Sequence, residues 1–186
     1  GARAAVRGAT RDEVGEALAR AGLDGRLYLA AFNAPDQTVV SGDAAAVDAL
    51  HAAAKDLGLR KVVRLNTAGA FHSPLMAAAA VAFKTVLDDA TIGEPAFPVV
   101  TNAGAAPART AARIRADLAR QMTAPVRWEE SVRAMTAAGV TAFIELGPGD
   151  VLSRLSRRIA PDAAAVNVGA PEDLAGGLDS AAKFVS

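Results

Sequence analysis

The first 65 residues alternate between two hydrophobic periods. Ala4-Ala5-Val6-Arg7 is a short apolar strand stopped by Gly8. Thr10-Arg11-Asp12-Glu13 has the form of a capping box, with Thr10 bonding forward and Glu13 reaching back. Val14, Leu18 and Ala19 follow at helical spacing, and Gly22 ends that helix. Leu27-Tyr28-Leu29-Ala30-Ala31 is strand-like, Asn33-Ala34-Pro35-Asp36 carries turn chemistry, and Thr38-Val39-Val40-Ser41 returns as a β-branched strand. Asp43 caps a second helix whose apolar face uses Val47, Leu50, Ala54 and Leu57 before Gly58 stops it, and Lys61–Leu65 closes the set.

The resulting order, β-α-β-β-α-β, is that of a ferredoxin-like unit and defines a small subdomain over residues 1–65. Residues 66–186 follow a different pattern. Helices are predicted over Pro74–Ala90, Thr110–Met122, Pro125–Ala138, Asp150–Ile159 and Glu172–Phe184. Strands are predicted at Pro98–Thr101, Thr141–Leu146 and Ala165–Val168. Thr141–Leu146 is almost continuously apolar, the pattern of a strand buried on both faces. Strands and helices alternating at these lengths indicate a parallel α/β sheet. Three strands make a thin one, so part of that sheet is expected to come from elsewhere.

Composition removes several functions. Apolar residues make up 52% of the chain, ample for a core, and Lys+Arg and Asp+Glu balance at 20 each. No global field therefore draws the protein to nucleic acid or to an anionic membrane. An aromatic content of 4% also argues against base-stacking platforms. There is no cysteine, which excludes disulfides, thiolate catalysis and Cys-based zinc sites, and two histidines leave no His-rich metal site. The longest apolar run, Met76–Phe83, is far shorter than the ~20 residues of a membrane span. No basic-then-apolar leader opens the chain. A soluble, cytoplasmic protein without a bound cofactor is expected.

One of the two histidines, His72, sits in Gly69-Ala70-Phe71-His72-Ser73-Pro74-Leu75-Met76, between a predicted strand and a predicted helix. Rigid elements on both sides would hold it while its ring faces a cleft, and imidazole exchanges protons near neutral pH. A base of this kind needs a nucleophile, yet no G-x-S-x-G elbow occurs. Ser73 is adjacent to His72, and neighbouring side chains seldom converge on one atom; its plainer role is to cap the helix at Pro74. Asp88-Asp89 and Glu129-Glu130 are adjacent pairs that point different ways on a helix and read as solvated faces. Gly147-Pro148-Gly149 opens a helix whose N–H groups could cradle an anion, although a tight turn explains it as well. His51 reads as a partly exposed helix residue and Trp128 as a core anchor. Arg154, Arg157 and Arg158 read as a solvated helix C-terminus that could also meet an acidic partner. The chain thus offers a catalytic base and no nucleophile.

Four blocks, in order, carry a family resemblance. They are Ala31–Gly42 (Ala-Phe-Asn-Ala-Pro-Asp-Gln-Thr-Val-Val-Ser-Gly), Gly69–Met76, Arg120–Trp128 (Arg-Gln-Met-Thr-Ala-Pro-Val-Arg-Trp) and Glu145–Leu152 (Glu-Leu-Gly-Pro-Gly-Asp-Val-Leu). Together they resemble the C-terminal two-thirds of the malonyl-CoA:acyl carrier protein transacylases and polyketide synthase acyltransferases. The resemblance implies a partial α/β-hydrolase-like parallel sheet over 66–186, with the ferredoxin-like 1–65 as an inserted subdomain. It also implies that a segment carrying G-H-S-x-G, an oxyanion loop and a carboxylate-pairing arginine lies outside these residues. Without that segment the chain alone is expected to be inactive.

The implied reaction moves a malonyl group from CoA to the pantetheine thiol of an acyl carrier protein, ping-pong, through an acyl-serine. His72 would be the general base. Gln121 would orient it through its main-chain carbonyl, so that no acidic triad member is required. Asn33, in the hairpin turn, matches a position lining the acyl pocket, though an Asx turn explains it equally well. Phe71 would fill the space of an α-substituent, favouring malonyl over methylmalonyl. Two alternatives stand beside this reading: an acyl-carrier-protein hydrolase of the same family, and a silent module that docks carrier proteins.

Overall fold

The computed structural model describes residues 1–183. It shows an α/β chain in two compact units, Gly1–Trp128 and a second one beginning at Glu129. Four strands open the first unit: β1 (Ala2–Arg7), β2 (Leu27–Ala34), β3 (Gln37–Gly42) and β4 (Lys61–Leu65). They pair antiparallel throughout in the order β2-β3-β1-β4. Two helices, α1 (Arg11–Arg20) and α2 (Ala44–Ala53), connect them.

Alternation along β1 gives this sheet two apolar faces. Ala2, Ala4 and Val6 pack with Val14 and Leu18 of α1 and with Val47 and Leu50 of α2. Ala5 faces the other way with Ala30, Ala31 and Val39, joined by Leu65 and Val126. Complete burial of a leucine such as Leu50 stabilises the fold by about 1.5–3 kcal/mol. The two caps predicted within residues 1–65 are in place. Glu13 N–H donates to Thr10 Oγ1 at 3.3 Å, and Thr10 N–H to Glu13 Oε2 at 2.6 Å. The Asp43 carboxylate accepts from Ala46 N–H at 2.9 Å. Gly22 ends the first helical segment with φ +63°, a left-handed conformation natural to glycine. On α1 it is Ala17 that is buried with Val14 and Leu18, while Ala19 is exposed.

Several boundaries differ from the pattern-based expectation. Asn33 and Ala34 belong to β2, so the hairpin turn is the pair Pro35-Asp36, and register shifts put a bulge at Asn33. Pro74–Met76 forms a 3₁₀ turn that leads into α3 (Ala77–Asp89). The strand predicted at Pro98–Thr101 shrinks to β5 (Val99–Val100). It pairs antiparallel with an unpredicted β6 (Pro107–Ala108) and does not join a parallel sheet. α4 (Ala111–Gln121) follows its Thr110 cap. Pro125 does not open a helix. Val126 N–H donates to Ala30 O at 2.9 Å and Phe32 N–H donates to Val126 O at 2.8 Å, so this segment lies extended along β2. The next helix, α5 (Trp128–Ala137), starts only after that pairing ends.

Within the second unit, β7 (Ala142–Leu146) and β8 (Ala164–Val168) run parallel, linked through α6 (Val151–Ile159), and α7 (Leu174–Ala182) follows. The predicted last helix extends to Phe184, which lies outside the described residues. β7 is not buried on both faces as its apolar run predicts: Ile144 is 40% and Leu146 75% exposed. Among the described residues its strand partner is β8 alone, so no second neighbour covers it.

Candidate active site

His72 stands in the loop between β4 and α3 with φ 62°, a left-handed conformation that costs a residue with a Cβ about 1–2 kcal/mol. Backbone and ring are both held in that geometry by one short segment. His72 N–H donates to Met122 O at 3.2 Å. Its ring Nδ1 lies 3.0 Å from Gln121 O and 3.2 Å from Ala124 O. Gln121 ends α4, and the last carbonyls of a helix have no intrahelical partner, so they are free to receive the imidazole. Ala124 is held from the other side, because Val126 two residues on is bonded to β2.

Carbonyl oxygens only accept hydrogen bonds, so a neutral imidazole placed against two of them carries its proton on Nδ1. Nε2 then keeps its lone pair. This is the protonation pattern of a general base, and among the described residues it is obtained without a carboxylate partner for His72.

Ser73 is fully buried, and its Oγ–H donates back to Ala70 O at 2.6 Å. It makes no side-chain cap to the following 3₁₀ turn, so the capping role predicted for it is not seen. The hydroxyl is committed inside the loop and is not a nucleophile for His72. Phe71 is 38% exposed, and its ring lies against Gly69, where an added Cβ would stand 3.2 Å from Cε2. Asn33 lies next to Phe32, whose N–H holds Val126, so its strand is fastened to the segment that carries Ala124. The structure therefore brings His72 and Gln121 into contact, and places Phe71 and Asn33 on the flanking loop and strand.

The other candidates are otherwise engaged. His51 Nδ1 lies 3.0 Å from Val62 O on β4. Asp88 pairs with Lys84 at 2.6 Å and Glu129 with Arg133 at 2.8 Å. In the second unit the Glu145 carboxylate accepts from Leu152 N–H at 3.1 Å and Ser153 N–H at 2.8 Å. The helix start after Gly147-Pro148-Gly149 is thus filled by the protein's own anion. Burial raises the Glu145 carboxyl pKa, but the bonds from Ser153 and Leu152 outweigh it and hold it below its ordinary value. Arg154 pairs with Asp150 at 3.1 Å, and Arg157 donates to Ala165 O at 2.6 Å. Trp128 is half-buried at the start of α5. Among the described residues no cluster of His, Asp and Glu could hold a metal, and no helix is long and apolar enough to cross a membrane.

The Ala124 carbonyl, the second acceptor of the imidazole, and Met122, which holds the His72 backbone, were not legible beforehand. Both act through main-chain atoms, whose positions no side-chain pattern encodes.

Comparison with known proteins places the chain in a family. The chain is 37% identical over 175 residues to a malonyl CoA-acyl carrier protein transacylase of Bacillus subtilis, a match spanning 94% of this chain and 55% of that protein. A solved malonyl-CoA:acyl carrier protein transacylase of Xanthomonas oryzae superposes with a TM-score of 0.89 at 39% identity, covering 96% of this chain and 57% of the other. A malonyl-transacylase solved in complex with its type II polyketide synthase acyl carrier protein superposes with a TM-score of 0.89 at 32% identity, over 96% and 58%. The chain spans about half the length of the curated relatives it matches. The acyl transferase domain family matches residues 1–177, nearly the whole chain, and it is to this family that the protein belongs.

Proposed function

We propose that this chain carries the general-base half of an acyltransferase that moves a malonyl group from CoA to an acyl carrier protein. The observation that carries the reading is the pair of carbonyl oxygens on His72 Nδ1, which leaves Nε2 as a proton acceptor. In the reaction Nε2 takes the proton of a serine hydroxyl as the oxygen attacks the thioester carbonyl. It returns that proton to the departing CoA thiolate. The cycle then repeats with the pantetheine thiol of the carrier, which releases the serine. Gln121 orients the ring throughout, Phe71 restricts the α-carbon of the acyl group, and Asn33 lines the acyl pocket.

The serine would come from a segment outside these 186 residues bearing G-H-S-x-G. Residues 1–65, with sheet order β2-β3-β1-β4, fit a ferredoxin-like subdomain, and residues 66–186 fit the C-terminal part of an α/β-hydrolase-like large subdomain. Large apolar side chains left open support a docking segment: Val81, Val86 and Phe97 in the first unit are 66–74% exposed, and Ile144 and Leu146 of β7 are exposed in the second.

The test is transfer of labelled malonyl from malonyl-CoA to a phosphopantetheinylated acyl carrier protein, with the G-H-S-x-G segment present. Transfer that falls about 10²–10⁴-fold in His72→Ala supports the reading. Transfer indifferent to His72 sinks it. Release of free malonate in place of transfer would assign the hydrolase alternative, and carrier binding without acylation the docking one.

A further inference from the structure

Asp117 sits on α4 one helical turn before Gln121, and its side chain is 1% exposed. Three donors converge on its carboxylate. Thr101 Oγ1–H reaches Oδ2 at 2.7 Å, Arg113 Nε–H reaches Oδ2 at 3.0 Å and Arg120 Nη2–H reaches Oδ1 at 2.7 Å. Thr101 Oγ1 in turn accepts from Gly104 N–H at 3.1 Å. A Cβ on Gly104 would lie 2.5 Å from Asp117 Oδ2 and 2.6 Å from Thr101 Oγ1, so the loop approaches the carboxylate only because that residue is glycine.

The same loop is fastened on its other side. Arg127 donates its N–H to Asn102 O at 3.0 Å and its Nη1–H to Gly104 O at 3.3 Å. Residues 101–104 thus grip the chain just before and just after the turn formed by Gln121–Ala124. Within that turn the Arg120 carbonyl accepts from Thr123 N–H at 3.2 Å and Ala124 N–H at 2.9 Å, while the Arg120 guanidinium is pinned to Asp117. Gln121 O and Ala124 O, the two acceptors of the imidazole, lie at the ends of this clamped turn.

We propose that Asp117 is a positioning residue for His72: by clamping α4 to the 101–104 loop it fixes the spacing of the Gln121 and Ala124 carbonyls and so holds the imidazole in its Nδ1–H form. A catalytic consequence rests on His72 being the base; the tautomer consequence does not. Removing the carboxylate leaves two arginines and the Thr101 hydroxyl without their shared acceptor, and the turn loses the tie that sets its angle. A displacement of about 1 Å in a catalytic geometry costs up to ~10²-fold in rate.

The experiment reads the ring nitrogens of His72 by ¹⁵N NMR in the wild type and in Asp117→Asn, Asp117→Ala and Thr101→Val, with circular dichroism as the check on folding. The wild type is expected to hold the Nδ1–H tautomer. Folded Asp117→Asn and Asp117→Ala proteins are expected to populate both tautomers, and Thr101→Val to move the same way by less. In the acyl-transfer assay kcat is expected to fall about 10–100-fold with KM little changed. If Asp117→Ala does not fold, Asp117→Asn and Thr101→Val decide the matter. A folded variant with the wild-type tautomer overturns the proposal. A shifted tautomer in a protein whose wild type transfers no acyl group with the G-H-S-x-G segment present would keep the clamp and discard the acyltransferase reading.

Discussion

The imidazole Nδ1 of His72 lies 3.0 Å from the carbonyl oxygen of Gln121, a residue 49 positions further along the chain. The contact joins a strained loop residue to the last residue of a helix, and each supplies what the other lacks. The helix terminus has an acceptor without a donor. The ring has a donor that must be held if its other nitrogen is to act as a base.

The left-handed backbone of His72 separates strain from function. His72→Gly and His72→Ala both remove the imidazole, but only alanine keeps the Cβ that crowds the φ 62° conformation. His72→Gly is therefore expected to be more stable than His72→Ala by about 1–2 kcal/mol in urea unfolding. Equal midpoints would mean that the loop relaxes on losing the ring.

Phe71 sets substrate width in the proposed reaction. Phe71→Ala is expected to raise the ratio of kcat/KM for methylmalonyl over malonyl by about tenfold, the scale of a single methyl group in an apolar pocket. Competition between the two CoA esters in one reaction measures it directly. An unchanged ratio would place the α-carbon away from this ring.

Acid should act on the first unit through Asp117. Burial raises its carboxyl pKa, but the bonds from Thr101, Arg113 and Arg120 outweigh burial and hold the pKa below its ordinary 3.8. With a depressed folded value, the unfolded state takes up the proton first as pH falls. The stabilisation is thus complete above 3.8 and is lost as pH falls through the folded value. Urea midpoints of the wild type are expected to drop more steeply over that range than those of Asp117→Asn. Parallel curves would show the carboxylate to be unperturbed.

Leu50 is fully buried between α2 and the sheet. Leu50→Ala is expected to cost about 2–5 kcal/mol, seen as a lower urea midpoint at unchanged slope. The tautomer of His72 in the folded protein should not change, since the helix-side core does not include the Gln121–Ala124 turn.

Residues 2–65 were legible because their signals are local. The Thr10–Glu13 box, the Asp43 cap and Gly22 each act within a few residues, and the structure places them as the pattern predicts, whereas α2 ends at Ala53, short of the Ala54, Leu57 and Gly58 expected to finish it. Pro125 misled because a proline before a polar helix matches a first-turn position, whereas its fate is decided by pairing of Val126 with a strand more than ninety residues earlier. Asn33 misled for a related reason: turn-forming chemistry is compatible with a bulge, and the strand partner selects between them. His72 could be found from the sequence because a lone histidine on a strand-to-helix loop stands out. Asp117 could not, since Asp with arginines four before and three after it reads as a solvated helix face, and only the Thr101 loop makes it interior.

The extended pairing of Val126 along β2 has a mechanical meaning. Ala124 is tied twice, to α4 through its N–H on the Arg120 carbonyl and to the four-stranded sheet through Val126, so the imidazole rests on a turn that joins helix and sheet. A shift of either element therefore carries both carbonyls with it, and the ring keeps its two acceptors together.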